Sequence, residues 1–384
     1  MSAPSASGAS AVRDERMAAA LGLALGISFT LCFVTGMISH LIQDPPAWFQ
    51  WPTRPVNGYR VNQGLHVASG LATIPLLLAK LWVVLPKFFR WPPARTIDDI
   101  GARLADGVLV AGGLFLVFSG TGNIASWRPW GFSFTAGHFW AAVAAYGALL
   151  VHVAHHGRTA RRELRRPAPA APVAAAAPAR ASVMSRRGFV ATFASSTALV
   201  TVSTAGQTVP WLRWANVLGP RRPTEGPQGL AVNKSAASAG VLDAIETDAA
   251  LSDYRLTISG RVAETVELTL DDLRSMPQHE ADLPIACVEG WSASARWRGV
   301  RVSDLLERAG AARGATVRVV SLQDTSLYSS SELNRKQAED SLTLLAMEIN
   351  GEPLHPDHGR PVRLIGANRP GVQQTKWVAA LEVR

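Results

Sequence analysis

Four nearly uncharged apolar runs in the first 160 residues constrain this chain more than any other feature. They cover about 17–42, 62–85, 102–122 and 134–155. Each is long enough for the roughly 20 residues of helix that cross a hydrocarbon layer. A backbone in hydrocarbon must satisfy its own hydrogen bonds, so each run reads as a helix. A fifth run, 188–209, is weaker and rich in Ser and Thr. It reads as a fifth span, with a buried or surface helix as the alternative. With only 17% charged residues in 384, the composition excludes a disordered chain and a purely soluble enzyme. The two cysteines, Cys32 and Cys287, lie in unlike segments, which argues against a disulfide framework.

Charge is distributed unevenly. Residues 1–229 carry 21 Lys and Arg against 8 Asp and Glu, whereas residues 230–384 carry 17 against 21. A nucleic-acid binder would concentrate basic charge on its folded domain; here it surrounds the apolar runs. Flanking charge sets membrane orientation. Arg13 and Arg16 precede the first span, and Lys87, Arg90, Arg95 and Arg103 fill the second connection. Eight arginines, from Arg158 to Arg187, fill the fourth. The first and third connections hold only Arg54, Arg60 and Arg128. This asymmetry predicts a cytoplasmic N-terminus in a multi-pass inner-membrane protein. Five spans then put residues 210–384 on the extracytoplasmic side.

The fourth connection is also a linker. Residues 167–181 are Pro/Ala-rich and offer no side chains for a core. Ser185-Arg186-Arg187-Gly188-Phe189-Val190 follows and leads into the fifth run. It resembles a twin-arginine export signal, here internal, with an ordinary positively charged flank as the alternative. That pathway carries folded cargo, so the motif points to a cofactor inserted before export.

Six of the nine histidines lie in or beside the spans: His40, His66, His138, His152, His155 and His156. Ionisable groups in a bilayer default to functional roles. His66 and His138 lie near the outer starts of the second and fourth spans, at a common depth that suits two axial ligands on one haem iron. His152 follows His138 by fourteen residues, about 21 Å of helix, which would suit a second, inner haem. Thr35-Gly36, His66 with Gly70, and the His138/His152 pair give residues 15–157 a resemblance to the four-helix b-type cytochromes. That family takes an inner ligand near the start of its first span, where this chain reads Arg16-Met17-Ala18-Ala19-Ala20. The outer pair is the better-supported site. His40 competes as partner of His66, and His155 and His156 read as interfacial. A haem-free anchor whose histidines hydrogen-bond between helices is the alternative. Cys32 reads as a small apolar filler.

From about residue 230 the pattern changes. Short β-branched runs at 254–259, 266–269, 316–321, 361–365 and 377–383 read as strands. Thr269 followed by Asp271 and Asp272 opens one short helix; Ser303 or Asp304 caps another. Strands mixed with isolated short helices predict an α+β domain. No glycine fingerprint for a dinucleotide or P-loop is present. A lone cysteine such as Cys287 is most often inert filler, yet a single thiolate suffices when a cofactor supplies the other metal ligands.

Cys287-Val288-Glu289-Gly290-Trp291-Ser292, then Trp297-Arg298-Gly299-Val300 and Asn350-Gly351-Glu352-Pro353-Leu354, make residues 230–384 resemble the molybdopterin-binding domain of the sulfite-oxidase family. The tail continues the resemblance through His358-Gly359-Arg360-Pro361-Val362-Arg363, Gly371 and Lys376-Trp377. The resemblance implies that Cys287 ligates molybdenum and that His358, Arg363 and Lys376 hold the pterin and its phosphate, for which Arg and Lys are suited. It implies that Gly371 lets backbone approach the cofactor and that Asn233 opens the pocket. Glu289 and Tyr328 are candidate pocket residues, with backbone bonding and loop packing as their alternatives. Sulfite oxidases follow their cysteine with arginines. Here Glu289 stands nearby and would repel sulfite, which is nearer to the bacterial periplasmic branch that includes a methionine-sulfoxide reductase. The match closes at Arg384, so the family's C-terminal dimerisation domain is not expected.

These readings divide the chain into a four-helix transmembrane cytochrome-b-like domain (1–157), a cytoplasmic Pro/Ala/Arg linker with the twin-arginine signal (158–187), a fifth transmembrane helix (188–209), a linker (210–229) and a molybdopterin-binding oxidoreductase domain (230–384). The expected function is two-electron oxygen-atom transfer, as S- or N-oxide reduction on a small-molecule or protein-bound oxide. It would use molybdenum-molybdopterin and one b-type haem, with a quinone or other membrane carrier as electron partner. Sulfite dehydrogenation and a non-catalytic protein with a vestigial cofactor domain are the alternatives.

Overall fold

The computed structural model describes residues 14–89, 96–127, 129, 131, 133–166, 186–323 and 328–384. The linker at 167–181, Ser185 of the twin-arginine stretch and the flanking Arg13, Arg90, Arg95 and Arg128 lie outside the described residues. The chain divides into two compact units. One comprises Met1–Gly36, Leu65–Ala205 and Ala215–Leu218; the other comprises Met37–Gly64, Gly206–Trp214 and Gly219–Arg384.

Five long helices follow the five apolar runs: α1 (Glu15–Gln43), α2 (Gly58–Phe88), α3 (Ile97–Ile124), α4 (Phe134–Arg165) and α5 (Arg186–Ala205). All five are long and apolar enough to cross a membrane. Thr96 caps α3 in a reciprocal box with Asp99, satisfying two otherwise orphaned donors. Helix α4 runs ten residues beyond the apolar run predicted from sequence and ends with Arg162 and Arg165 in its last turn, where cations favour the helix dipole. In the first unit α3 and α4 approach closely at Gly112, where a Cβ would stand 2.9 Å from that of Ala145. Small residues permit such approach where no hydrophobic force draws helices together. Phe33 stacks on Tyr146 with centroids 4.0 Å apart. Phe189, from the twin-arginine stretch, is buried with Met17, Leu21, Ala79 and Val83.

The second unit holds two five-stranded sheets. The first has the order β2 (Val266–Thr269), β1 (Arg255–Gly260), β10 (Val378–Val383), β5 (Val317–Ser321), β6 (Ser330–Leu333). Only the β1–β10 pairing in it is parallel. The second has β3 (His279–Ala286), β4 (Ser292–Arg301), β7 (Leu344–Ile349) and β8 (Glu352–Pro353), with β9 (Arg363–Ile365) also on β7. Four short helices complete it: α6 (Asp248–Asp253), α7 (Leu270–Ser275), α8 (Val302–Arg308) and α9 (Arg335–Ala338). This is the expected α+β arrangement. Thr269 caps α7 in a box with Asp272 as the sequence predicts. The predicted cap of α8 is wrong: Arg301 occupies it without a side-chain bond, and Asp304 instead faces His279 at 3.3 Å.

Strands β3 and β4 set the site. They pair in unbroken register from His279↔Gly299 to Ala286↔Ser292. At Gly299 the register on β7 shifts, and a Cβ would stand 2.0 Å from the Leu345 carbonyl. Only glycine fits that approach. Trp297 is fully buried and donates its indole N–H to the Leu283 carbonyl at 3.1 Å.

Candidate molybdopterin site

Cys287 stands at the tip of the β3–β4 hairpin. Its N–H donates to the Trp291 carbonyl at 2.9 Å, and its carbonyl accepts from Gly290 at 3.0 Å. Gly290 has φ 86°, which glycine adopts without strain. Thr208 donates its hydroxyl to the Gly290 carbonyl, and Ser292 N–H donates to the Gln207 carbonyl. The tip is therefore held from both sides. Cys287 is 2% exposed. Burial pushes the thiol up to about 12, and the Glu289 carboxylate adds to that rise. A thiol held there is not a free nucleophile at neutral pH, whereas a metal cation would favour the thiolate.

The chain tail folds back onto this tip. Ala286 bridges to Pro370, and a Cβ on Gly371 would stand 3.0 Å from the Ala286 carbonyl. Arg363 is buried, lies 5.0 Å from the centre of the Trp297 ring, and donates to the carbonyls of His358 and Gln374 at 2.9 and 3.2 Å. Among the described residues its Nε has no partner. His358 donates from Nε2 to the Pro227 carbonyl at 2.7 Å, which fixes a tautomer with Nδ1 unprotonated. Lys376 donates to the carbonyls of Lys234 and Asp357 at 2.8 and 2.7 Å. Gly359, at φ 107°, lets these side chains meet: a Cβ there would stand 2.9 Å from the Cβ of Arg363 and 3.1 Å from that of Lys376. Burial pushes His358 down to about 4, Lys376 to about 7 and Arg363 to about 9.

Not every expected residue joins this cluster. Cys287, Glu289, His358, Arg363, Gly371 and Lys376 do. Asn233 is exposed; its neighbour Lys234 supplies the carbonyl that holds Lys376. Tyr328 is 43% exposed, its carbonyl accepts from Gln323 at 3.5 Å, and it lies at the edge of the cluster, within electrostatic reach of Tyr59. Glu289 is not a bare acid: Arg221 and the Trp291 indole both donate to its Oε2 at 3.3 Å, which offsets its repulsion of anions.

Sequence reasoning missed a whole wall of the site. Within the second unit, residues of the first connection pack beside the tip. Tyr59 is buried with Ile42 and Ala286, within electrostatic reach of Cys287. Gln63 donates to the Val288 carbonyl at 3.3 Å. Asn368 gathers this segment. Its Nδ2 donates to the Pro52 carbonyl at 2.7 Å, its Oδ1 accepts from Tyr59 N–H, and its backbone bonds Val56 and the Trp51 indole. A Cβ on Gly58 would stand 2.7 Å from Asn368 Oδ1. Arg369 is equally buried but serves the scaffold, donating to the Glu332 and Gln373 carbonyls and to Gln337.

The donor set passes a simple test for an anionic cofactor. Arg363 and Lys376 are held by carbonyl oxygens and by no carboxylate among the described residues. Gln207 and Ser292, beside the hairpin tip, keep buried side-chain atoms without partners among the described residues. Buried charge and buried polar atoms require such compensation, and a phosphorylated pterin with a thiolate-bound metal supplies it.

Residues 243–384 match the oxidoreductase molybdopterin binding domain family. The matched stretch lies in the second unit, which is thus similar to molybdopterin-binding oxidoreductase domains. Among its relatives, mitochondrial sulfite oxidase of Rattus norvegicus is 30% identical over 157 residues, covering 34% of this chain and 29% of that one. An uncharacterized oxidoreductase, YuiH, of Bacillus subtilis is 31% identical over 133 residues, covering 34% and 66%. A putative protein-methionine-sulfoxide reductase subunit, YedZ1, of Azospira oryzae is 33% identical over 138 residues, covering 36% and 51%. The chain thus spans under a third of the rat protein and about half of the Azospira one.

The oxidoreductase domain should show a specific acid sensitivity when freed of cofactor. Unfolded histidine takes up a proton near 6.5, whereas folded His358 resists it down to about 4. Its contribution is complete above pH 6.5 and is lost as pH falls towards 4, by about 2 kcal/mol at pH 5. Denaturant midpoints at pH 7.5 and pH 5 for wild type and His358→Gln check this. The variant should lose less stability between the two; equal losses would exclude His358 as the cause.

Proposed function

We propose that this chain is a membrane-anchored molybdopterin oxidoreductase catalysing two-electron oxygen-atom transfer on the extracytoplasmic side, as reduction of an S- or N-oxide. The observation that carries this reading is the presence in one chain of the buried Cys287 site and of two facing imidazoles in the apolar helices. The His66 and His138 ring centres stand 6.4 Å apart. His66 Nδ1 lies 2.9 Å from the Cys32 carbonyl, and His138 Nδ1 lies 2.9 Å from the Ser119 hydroxyl. Such bonds orient ligating imidazoles and leave Nε2 to the metal. The two ring centres are close enough for both imidazoles to hold one haem iron. Gly36 matters here, since a Cβ would stand 2.9 Å from the His66 ring. Cys32, expected as filler, lies 3.6 Å from His66 Nδ1.

Molybdenum held by the pterin supplies the two-electron oxygen-atom chemistry. The chain's residues hold and surround it. Cys287 would be the protein ligand; His358, Arg363 and Lys376 would hold the pterin and its phosphate; Glu289, paired with Arg221, would border the substrate. Tyr59 and the buried Trp291 keep water from the sulfur. His66 and His138 would hold a b-type haem, which would supply one-electron transfer from a quinone or other membrane carrier.

Sulfite dehydrogenation is the second reading. The Arg221–Glu289 pair favours it, because the guanidinium offsets the carboxylate charge that would repel sulfite. One set of measurements separates the two: molybdenum, pterin and haem content, the dithionite-reduced spectrum, and dye-linked turnover in both directions. Reduction of methionine sulfoxide or an N-oxide with reduced viologen is expected to exceed oxidation of sulfite with ferricyanide. The reverse ranking would overturn oxide reduction, and a spectrum without b-type bands would remove the haem.

A further inference from the structure

The first unit holds a second cluster of ligand-type side chains, at the end of α3 and α4 that runs into Arg158, Arg161 and Arg162. Asp106 on α3 faces His152 and His156 on α4. His152 Nδ1 lies 2.6 Å from Asp106 Oδ1, and His156 Nε2 lies 3.7 Å from Asp106 Oδ2. The two imidazole rings are one helical turn apart, with centres 4.7 Å apart. One ligand atom from each of the three lies within 4.8 Å of the others, and among the described residues this is the one such group of three.

We infer that Asp106, His152 and His156 bind a divalent transition-metal cation, Zn²⁺ being the ion their chemistry suits best. Two imidazoles at i and i+4 project from one face of a helix. With one carboxylate they form the three-ligand N,N,O set of open zinc sites, which leave a fourth position to water. Ligands around a tetrahedral ion at about 2.0–2.2 Å stand about 3.3–3.6 Å apart. The His156–Asp106 separation of 3.7 Å needs to close by only a few tenths of an ångström. The His152–Asp106 hydrogen bond must open by about 1 Å as the ion replaces the shared proton.

The surroundings set the affinity. Arg103, one turn before Asp106 on α3, has its guanidinium on the Phe88 carbonyl. The arginines after residue 157 weaken attraction for a cation, though all three ligands are partly exposed, so that repulsion is screened. The site ties α3 to α4 and takes His152 out of service as an inner haem ligand.

The test uses the full chain purified in detergent, stripped with chelator and titrated with Zn²⁺, with Co²⁺ as the coloured probe. Wild type is expected to bind one equivalent and to gain thermal stability with metal. His156→Ala and Asp106→Asn are each expected to weaken binding by more than about tenfold, while His155→Gln leaves it unchanged. His156→Ala keeps the Asp106–His152 hydrogen bond, so loss of binding there is not loss of fold. Unchanged Zn²⁺ binding in His156→Ala, no binding in wild type, or two haems per chain with His152→Ala losing one would each overturn the inference.

Discussion

Replacing Cys287 by serine is expected to lower dye-linked turnover by more than about 10³-fold while the domain stays folded and retains pterin. Serine is near in volume, and the turn that holds residue 287 is made by backbone bonds to Trp291 and Gly290, which the substitution leaves intact. What it removes is the sulfur itself, buried at the hairpin tip, and with it the protein's bond to the metal. Loss of a group that acts only in the chemistry appears in kcat and not in folding. The pterin should remain because His358, Arg363 and Lys376 are untouched. Turnover within tenfold of wild type, with pterin bound, would exclude Cys287 as the ligand.

The second large effect concerns stability. Asn368→Ala is expected to destabilise the second unit by about 3–5 kcal/mol: two buried hydrogen bonds of about 1–3 kcal/mol each, plus strain at a left-handed residue. Its side chain bonds the Pro52 carbonyl and the Tyr59 N–H, and its φ is 58°. Asn368→Gly loses the same bonds but keeps the backbone relaxed, so it should be milder by about 1 kcal/mol. Urea unfolding followed by tryptophan fluorescence measures both. An Asn368→Ala midpoint equal to that of wild type would mean that the first connection contributes nothing to the site.

The two predictions also mark what the sequence could and could not disclose. Apolar length alone located all five long helices, because hydrocarbon tolerates so few backbone solutions. The resemblance of the tail singled out His358, Arg363 and Lys376, and the fold brings them together around Gly359. Much of the second sheet went unread. Strand β7 is Leu344–Ile349, built of Leu, Ala, Met and Glu before its final Ile, residues that favour helix; burial in the sheet overrides that preference. Strand β3 carries Pro284, and β4 opens on Ser and Ala, so neither shows a β-branched pattern. Tyr59 and Asn368 stand 309 positions apart, and nothing local in either segment announces the other. The Asp106–His152 bond was likewise hidden, because a fourteen-residue spacing drew attention to His138 instead.

The second unit is assembled from three separated stretches of chain, which has a consequence for biosynthesis. The Pro52 carbonyl waits for a side chain 316 residues further along. At a ribosome's pace of about 5–20 residues per second, that is a delay of about 15–60 s. Throughout that interval the earliest-made part of the catalytic unit exists without its partners, so the last residues translated decide when the first ones become ordered.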